Sequence, residues 1–376
     1  YFDDDRAQVQ AGDQLWEIAL EKVMDLLYTA DGRLHAVVRM DDQWTVCVDG
    51  TPWEPRWEFA WNPQLSLDGR ALGVQVKRAM EYSVALDGTD WEQRFLSCRD
   101  YAIDADGARL AATVQVAAMA EADIEAFLAG LWTVAVDGTP WDRTFINAYA
   151  PVFHPDGQRV AAAVRTGRLA YTIAEDGHPW SREFACVWEP AYRPDGRGLL
   201  APVREQGSWG LAQDGELLWK RRYVQLWKPR FAPVGDRVAA VVAPSFGRWT
   251  VAVDDQPWPV TFRDAVLPPV FSPDGARVAA TVRSRGRWTV AVDGRPWPAD
   301  FDMAWDPVFS PDGAVVAAKV ERDGRYTIAV DGRPWGESYD TLWDPTFSPD
   351  GANLLVRGVR DGKATRRVVP VSQLRG

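Results

Sequence analysis

Cysteine and histidine are scarce in this chain. Its three Cys, Cys47, Cys98 and Cys186, lie far apart in 376 residues and form no C-x-x-C pair. That excludes zinc-ribbon, iron–sulfur and c-type haem attachment signatures, and an odd, sparse count suits a reducing compartment. The three His are His35, His154 and His178. None stands in a metal or triad pattern, and no G-x-S-x-G, H-E-x-x-H, G-x-x-x-x-G-K or dinucleotide fingerprint is present. No apolar run reaches the length of a membrane span. The opening Tyr1-Phe2-Asp3-Asp4-Asp5 lacks the positive and apolar portions of a secretory leader, and a leader upstream of Tyr1 stays open. Lys plus Arg is 42 against 53 Asp plus Glu, a net charge of −11, which disfavours nucleic acid as a partner.

Tryptophan, by contrast, is abundant, with 20 residues, and it is periodic. A Trp follows each Val-Asp-Gly-like turn, and the Gly of an Asp-Gly turn follows that Trp: 16/32, 53/69, 91/107, 141/157, 180/196, 219/235, 258/275, 297/313 and 335/351. The separation is 16 residues in eight pairs and 17 in one. Between the markers run β-branched, apolar stretches such as Val315-Val316-Ala317-Ala318-Lys319-Val320. Ser310-Pro311-Asp312-Gly313 is turn chemistry, because Pro fixes φ, Asp suits the third position and Gly takes the left-handed fourth. Val-Asp-Gly is a two-residue hairpin signal. The unit reads as a four-stranded antiparallel blade, and its recurrence predicts an all-β fold: a single β-propeller of nine blades, or eight with one degenerate unit.

The expected organisation is an acidic lead-in at 1–14, a propeller at 15–371 and a tail at 372–376. Residues 15–20 hold Trp16 without inner strands, and the C-terminal repeat lacks its Pro-Trp strand. The N-terminal strand is therefore expected to complete the last blade and close the ring, since open edges are exposed to mispairing. The third repeat is longer than its neighbours. Its excess is rich in Ala, Glu and Leu and ends in Gly130, which predicts a helix over about 117–130 with Met119, Ile124, Phe127 and Leu128 on one side.

Strand alternation puts every Asp-Gly turn on one face, expected to be acidic. The opposite face should carry the second–third connections, with Arg248, Arg283, Arg285 and Arg287, and the blade-to-blade connections, with Trp305 and Trp343. With Met119, Ile124 and Phe127 of the insertion, these form the candidate partner-binding set, because Arg and Trp are enriched at binding hot spots. The nine repeated Trp read as packing between blades. The turn Asp read as turn formers, because a calcium loop needs several carboxylates on alternate positions. No catalytic, metal or cofactor residue is assigned, and the chain is expected not to be an enzyme.

Phe271-Ser272-Pro273-Asp274-Gly275 with Val278-Ala279-Ala280 resembles the WD40-like Pro-Asp repeats of bacterial propellers. The recurring Trp-Thr-Val-Ala-Val-Asp-Gly-Arg-Pro-Trp at 288–297 is similar to the tryptophan-rich D subunit of the Tmc transmembrane electron-transfer complex of sulfate-reducing bacteria. That family's complex joins a multihaem cytochrome, a membrane cytochrome b and an iron–sulfur protein. The resemblance implies a non-catalytic accessory subunit, cytoplasmic and peripheral on the inner membrane through its partners, with no cofactor of its own. The alternatives from other classes are a carbohydrate- or peptide-binding propeller and a propeller hydrolase using channel carboxylates.

Overall fold

The computed structural model describes residues 2, 3, 6–119 and 123–375. The chain is all-β, a succession of β-propeller blades. Among the described residues, nine antiparallel sheets of four or five strands follow one another, at 22–52, 59–90, 97–140, 147–179, 186–217, 225–257, 265–296, 303–334 and 341–370. Each is a meander whose strands pair in chain order. The chain forms two compact units, residues 1–201 with 213–216 and residues 202–212 with 217–376. The first holds the N-terminal hairpins and the first four sheets. The division runs through the fifth sheet, and the second unit holds the last four.

The turn residues act as their chemistry dictates. The Asp of each third–fourth hairpin has φ between 46° and 50° and is followed by a residue that also has positive φ, the two-residue turn that matches strand twist. The same Asp side chain accepts the backbone N–H that opens the second strand. Asp49 with Leu34, Asp87 with Leu72, Asp176 with Val160 and Asp293 with Val278 all lie at 2.8–2.9 Å. In the first–second turn the Ser272 hydroxyl donates to Asp274 and accepts the N–H of Arg277 at 2.9 Å. The repeated aspartates are thus hydrogen-bonded parts of the turns.

The second strands of the first eight sheets are largely apolar without alternation, whereas Asn353–Arg360 of the ninth alternates. Val160–Val164 and Val238–Val242 are buried throughout, because both faces of these strands are covered. The repeat Trp packs on the next hairpin glycine: a Cβ on Gly332 would lie 3.0 Å from Trp297, one on Gly294 3.1 Å from Trp258 and one on Gly50 3.2 Å from Trp16. A side chain is excluded at these glycines by both contact and positive φ.

Several expectations are corrected. The N-terminal strand shows no pairing with the ninth sheet among the described residues. Residues 6–20 instead copy the outer half of a sheet: Ala7 bridges Leu20 as Trp44 bridges Trp57, and Trp16 N–H donates to Val9 O at 2.9 Å. This segment brings its own third-strand end and folds on itself. The lead-in therefore contains strand pairs, Phe2–Asp3 with Arg6–Ala7 and Gln10–Ala11 with Gln14–Leu15. The ninth sheet takes Lys363–Pro370 as its third strand and passes into a short helix, Val371–Leu374, where a polar tail was expected. The insertion helix is only Ile124–Ala129, starting where the Asp123 carboxylate accepts the Ala126 N–H at 2.8 Å. Residues 117–119 are not helical, and 120–122 lie outside the described residues.

Candidate partner-binding surface

The second–third hairpin tips of the first unit present large apolar side chains to solvent. Met80 is 71% exposed at a two-residue turn, Ile124 69% and Leu128 51% on the insertion helix, and Leu169 77% on the next tip. These tips belong to the second, third and fourth sheets, whose strands run in the same order, so they fall at the same end of consecutive blades. No residue of the insertion helix is buried. Met119 is exposed, and Phe127 is half-buried under the Arg165 guanidinium, 5.7 Å from its ring centroid. In the second unit Phe246 is 94% exposed at the tip beside Arg248, which is also exposed.

The expected basic character of this end is corrected. Carboxylates from the fourth-to-first connections neutralise many of its arginines. Arg287 pairs with Asp300 at 3.2 Å and with Asp302, Arg325 with Asp340, Arg360 with Glu337 at 3.1 Å and Arg39 with Glu21 at 3.3 Å. Asp302 sits below the usual carboxylate range because it accepts the Asp323 N–H and faces Arg287. Arg283, Arg285 and Arg287 do share one hairpin, but in different states. Arg283 lies 5.4 Å over Trp288, Arg285 is exposed at the tip with φ 55°, and Arg287 is ion-paired.

Trp305 and Trp343 are not in blade-to-blade connections. They follow the short strand pieces Met303–Ala304 and Thr341–Leu342, at a break in the first strand. The cause is the Pro two residues later, which cannot donate to a ladder and is tolerated on an edge strand or bulge. Trp61 and Trp227 mark the same point in other sheets, where Asn62 and Lys228 have φ of 53° and 51°. Trp343 is 50% exposed, whereas Trp305 is covered by Lys319 and Tyr326.

The Asp-Gly end is also less acidic than expected. The arginine opening the second strand pairs with the hairpin Asp and reaches the neighbouring turn. Arg277 bonds Asp293 at 3.1 Å and Gly313 O at 3.0 Å, and Arg237 and Arg109 repeat the pattern with Asp254 and Gly275, and with Asp137 and Gly157. The exposed tips Met80, Leu169 and Phe246 were missed in the sequence. Their signal was an apolar residue at a turn that carries Asp or Arg in other repeats.

No family model and no curated protein matches the sequence. Among solved structures the chain is similar to hydrazine synthase of Kuenenia stuttgartiensis, at 14% identity over 82% of this chain and 94% of that one, with a TM-score of 0.35. It is also similar to TolB of Acinetobacter baumannii, at 15% identity over 73% and 79% with a TM-score of 0.32, and to the Dos1 propeller, at 11% identity over 72% and 92% with a TM-score of 0.35.

Proposed function

We propose that this protein is a non-catalytic scaffold that binds other protein subunits, and that it serves as an accessory subunit of a membrane-associated electron-transfer complex. The observation that carries the binding role is the row of exposed apolar tips, Met80, Ile124, Leu128 and Leu169, at one end of successive blades. Apolar groups presented together at one end favour burial against a partner, and Met adapts well to such surfaces. The redox setting rests on the resemblance carried by residues 288–297. Iron–sulfur and cytochrome subunits are the partners it implies, with attachment to the cytoplasmic side of the inner membrane through them. No helix among the described residues is long and apolar enough to cross a membrane.

The test is isolation of the native protein from membranes in mild detergent. Co-purification at fixed stoichiometry with subunits that show haem absorbance and an iron–sulfur resonance is the expected result. Recovery with no haem- or iron-bearing subunit would remove the redox reading. An assembly that tolerates aspartate at both Met80 and Leu169 would remove the proposed surface.

A further inference from the structure

The ninth sheet is an incomplete copy of the other eight. In each of those a two-residue fourth strand pairs with the end of the third, as Arg333–Pro334 does with Ala329 and Val330. The chain then runs on beside the third strand. Trp335 N–H donates to Ile328 O at 2.8 Å, and Tyr339 exchanges two backbone hydrogen bonds with Tyr326, at 2.8 and 3.0 Å. A bridge between two aromatics recurs at this place in all eight sheets. In the seventh and eighth an acid follows the aromatic: Asp302 pairs with Arg287, and Asp340 with Arg325.

Strand Lys363–Pro370 of the ninth sheet pairs with Asn353–Arg360 along one edge and, among the described residues, with nothing along the other. Register places Lys363, Ala364, Arg366 and Val368 where Arg325, Tyr326, Ile328 and Val330 stand in the eighth sheet. Hydrogen bonding alternates along an antiparallel ladder, so the open N–H and C=O groups are those of Ala364, Arg366 and Val368. The four counterparts in the eighth sheet are buried or half-buried. Here all four residues are exposed, Val368 at 67%. The Lys363 and Arg366 side chains have no acidic partner among the described residues.

We infer that this edge receives a strand from another protein, an acidic segment with the pattern Trp-x-x-x-aromatic-Asp. Main-chain hydrogen bonds supply the affinity of such strand addition, and side chains supply the specificity. The eight completed sheets show the fit. The segment runs antiparallel to 363–370, with its Trp N–H on Arg366 O, its aromatic against Ala364 and its acid on Lys363. Ala364 stands where the other third strands carry Trp or Tyr, so the incoming ring meets a methyl group in place of a second ring. Charge selects the occupant. Two copies paired edge to edge oppose Lys363, Arg366 and Arg367 with one another, and like charges facing across a ladder destabilise it. Basic residues on an edge also deter neutral strands. An acidic strand gains from them. This inference does not rest on the exposed hairpin tips or on the redox setting.

The test is residue-resolved amide exchange on the full chain. The probe is a peptide with the sequence of residues 295–304, blocked at both ends, which holds Trp297, Phe301 and Asp302 at the required spacing. Without it, the amides of Ala364, Arg366 and Val368 should exchange fast. The peptide should slow them and leave 316–322 unchanged. A scrambled peptide should not. Asp302→Asn within the peptide should weaken binding roughly fivefold, and Lys363→Glu in the protein should do so by a similar factor. Arg366→Pro removes an outward N–H, keeps the ladder to Asn353–Arg360 and should abolish the protection. Slow exchange of the three amides in the free protein would overturn the inference. So would equal protection by the scrambled peptide, or protection that rises with protein concentration alone, the mark of a second copy. Should Arg366→Pro fail to fold, unchanged affinity in Lys363→Glu overturns it alone.

Discussion

At the scale of the residue, His35 is the polar group most at odds with its surroundings. It is 2% exposed in a second strand, and neither ring nitrogen has a hydrogen-bond partner among the described residues. Burial lowers its proton affinity below the ordinary imidazole value. The fold therefore prefers the neutral ring. The unfolded chain binds the proton more readily, so stability is full above the unfolded value of about 6.5 and falls as pH drops from there toward the folded value. Leu200 and Leu355 hold the matching place in other repeats. His35→Leu should raise the melting temperature and flatten its decline between about pH 6.5 and 5, which thermal melts across pH will read. A second acid-sensitive set lies at the turns. Hydroxyl donors at Thr29, Ser66, Ser272, Ser310 and Ser348 hold Asp31, Asp68, Asp274, Asp312 and Asp350 below the usual carboxylate range. Depressed carboxylates stabilise above their unfolded value and lose that contribution as pH falls through the folded one, so a further decline belongs below about pH 4. Arg277→Ala removes one clamp between a hairpin Asp and the next turn. Its partly exposed geometry predicts a loss of about 1 kcal/mol in denaturant unfolding.

At the scale of the element, the hairpin tips and the insertion helix separate folding from recognition. Met80 and Leu169 are exposed and pack little, so aspartate at both should leave stability within about 0.5 kcal/mol of the parent. The same variant should lose partner subunits on isolation. Asp123→Ala removes the cap of a helix with no buried residue. The result should be faster amide exchange at 124–129 with an unchanged melting temperature. The repeat itself was legible in the sequence because turn chemistry is local: a Gly at positive φ and an Asp that bonds its own turn are dictated within a few residues. The Trp-to-Gly spacing carried that local signal through nine units. What was not legible depended on partners distant in sequence. The carboxylates that neutralise Arg287 and Arg325 lie 13–15 residues away on another connection, so residue type alone made that end look basic. The W-x-P break was misplaced because Pro reads as a connection signal, and only pairing shows it interrupting an edge strand. The helix start was misjudged because alanine-rich flanks favour helix as strongly as the residues after Asp123.

At the scale of the whole molecule, stability should follow burial strand by strand. Each sheet places its second strand between two paired neighbours, and in the first eight sheets the opening residues of that strand are buried on both faces, as in Val160–Val164 and Val278–Val282. The N-terminal pairs are two residues long and largely exposed, as in Gln10–Ala11 and Gln14–Leu15. Opening a second strand breaks two ladders and uncovers apolar surface, whereas opening the terminal hairpin breaks one short ladder. Amide exchange should therefore be slowest in the second strands of every blade, including those on each side of the division at residues 201 and 202. It should be fastest in residues 10–15. Peptide-resolved hydrogen–deuterium exchange reads this directly. Protection of residues 10–15 equal to that of 278–284 would mean that the terminal segment is paired more extensively than its own hairpin, and the half-blade assignment of residues 6–20 would fall with it.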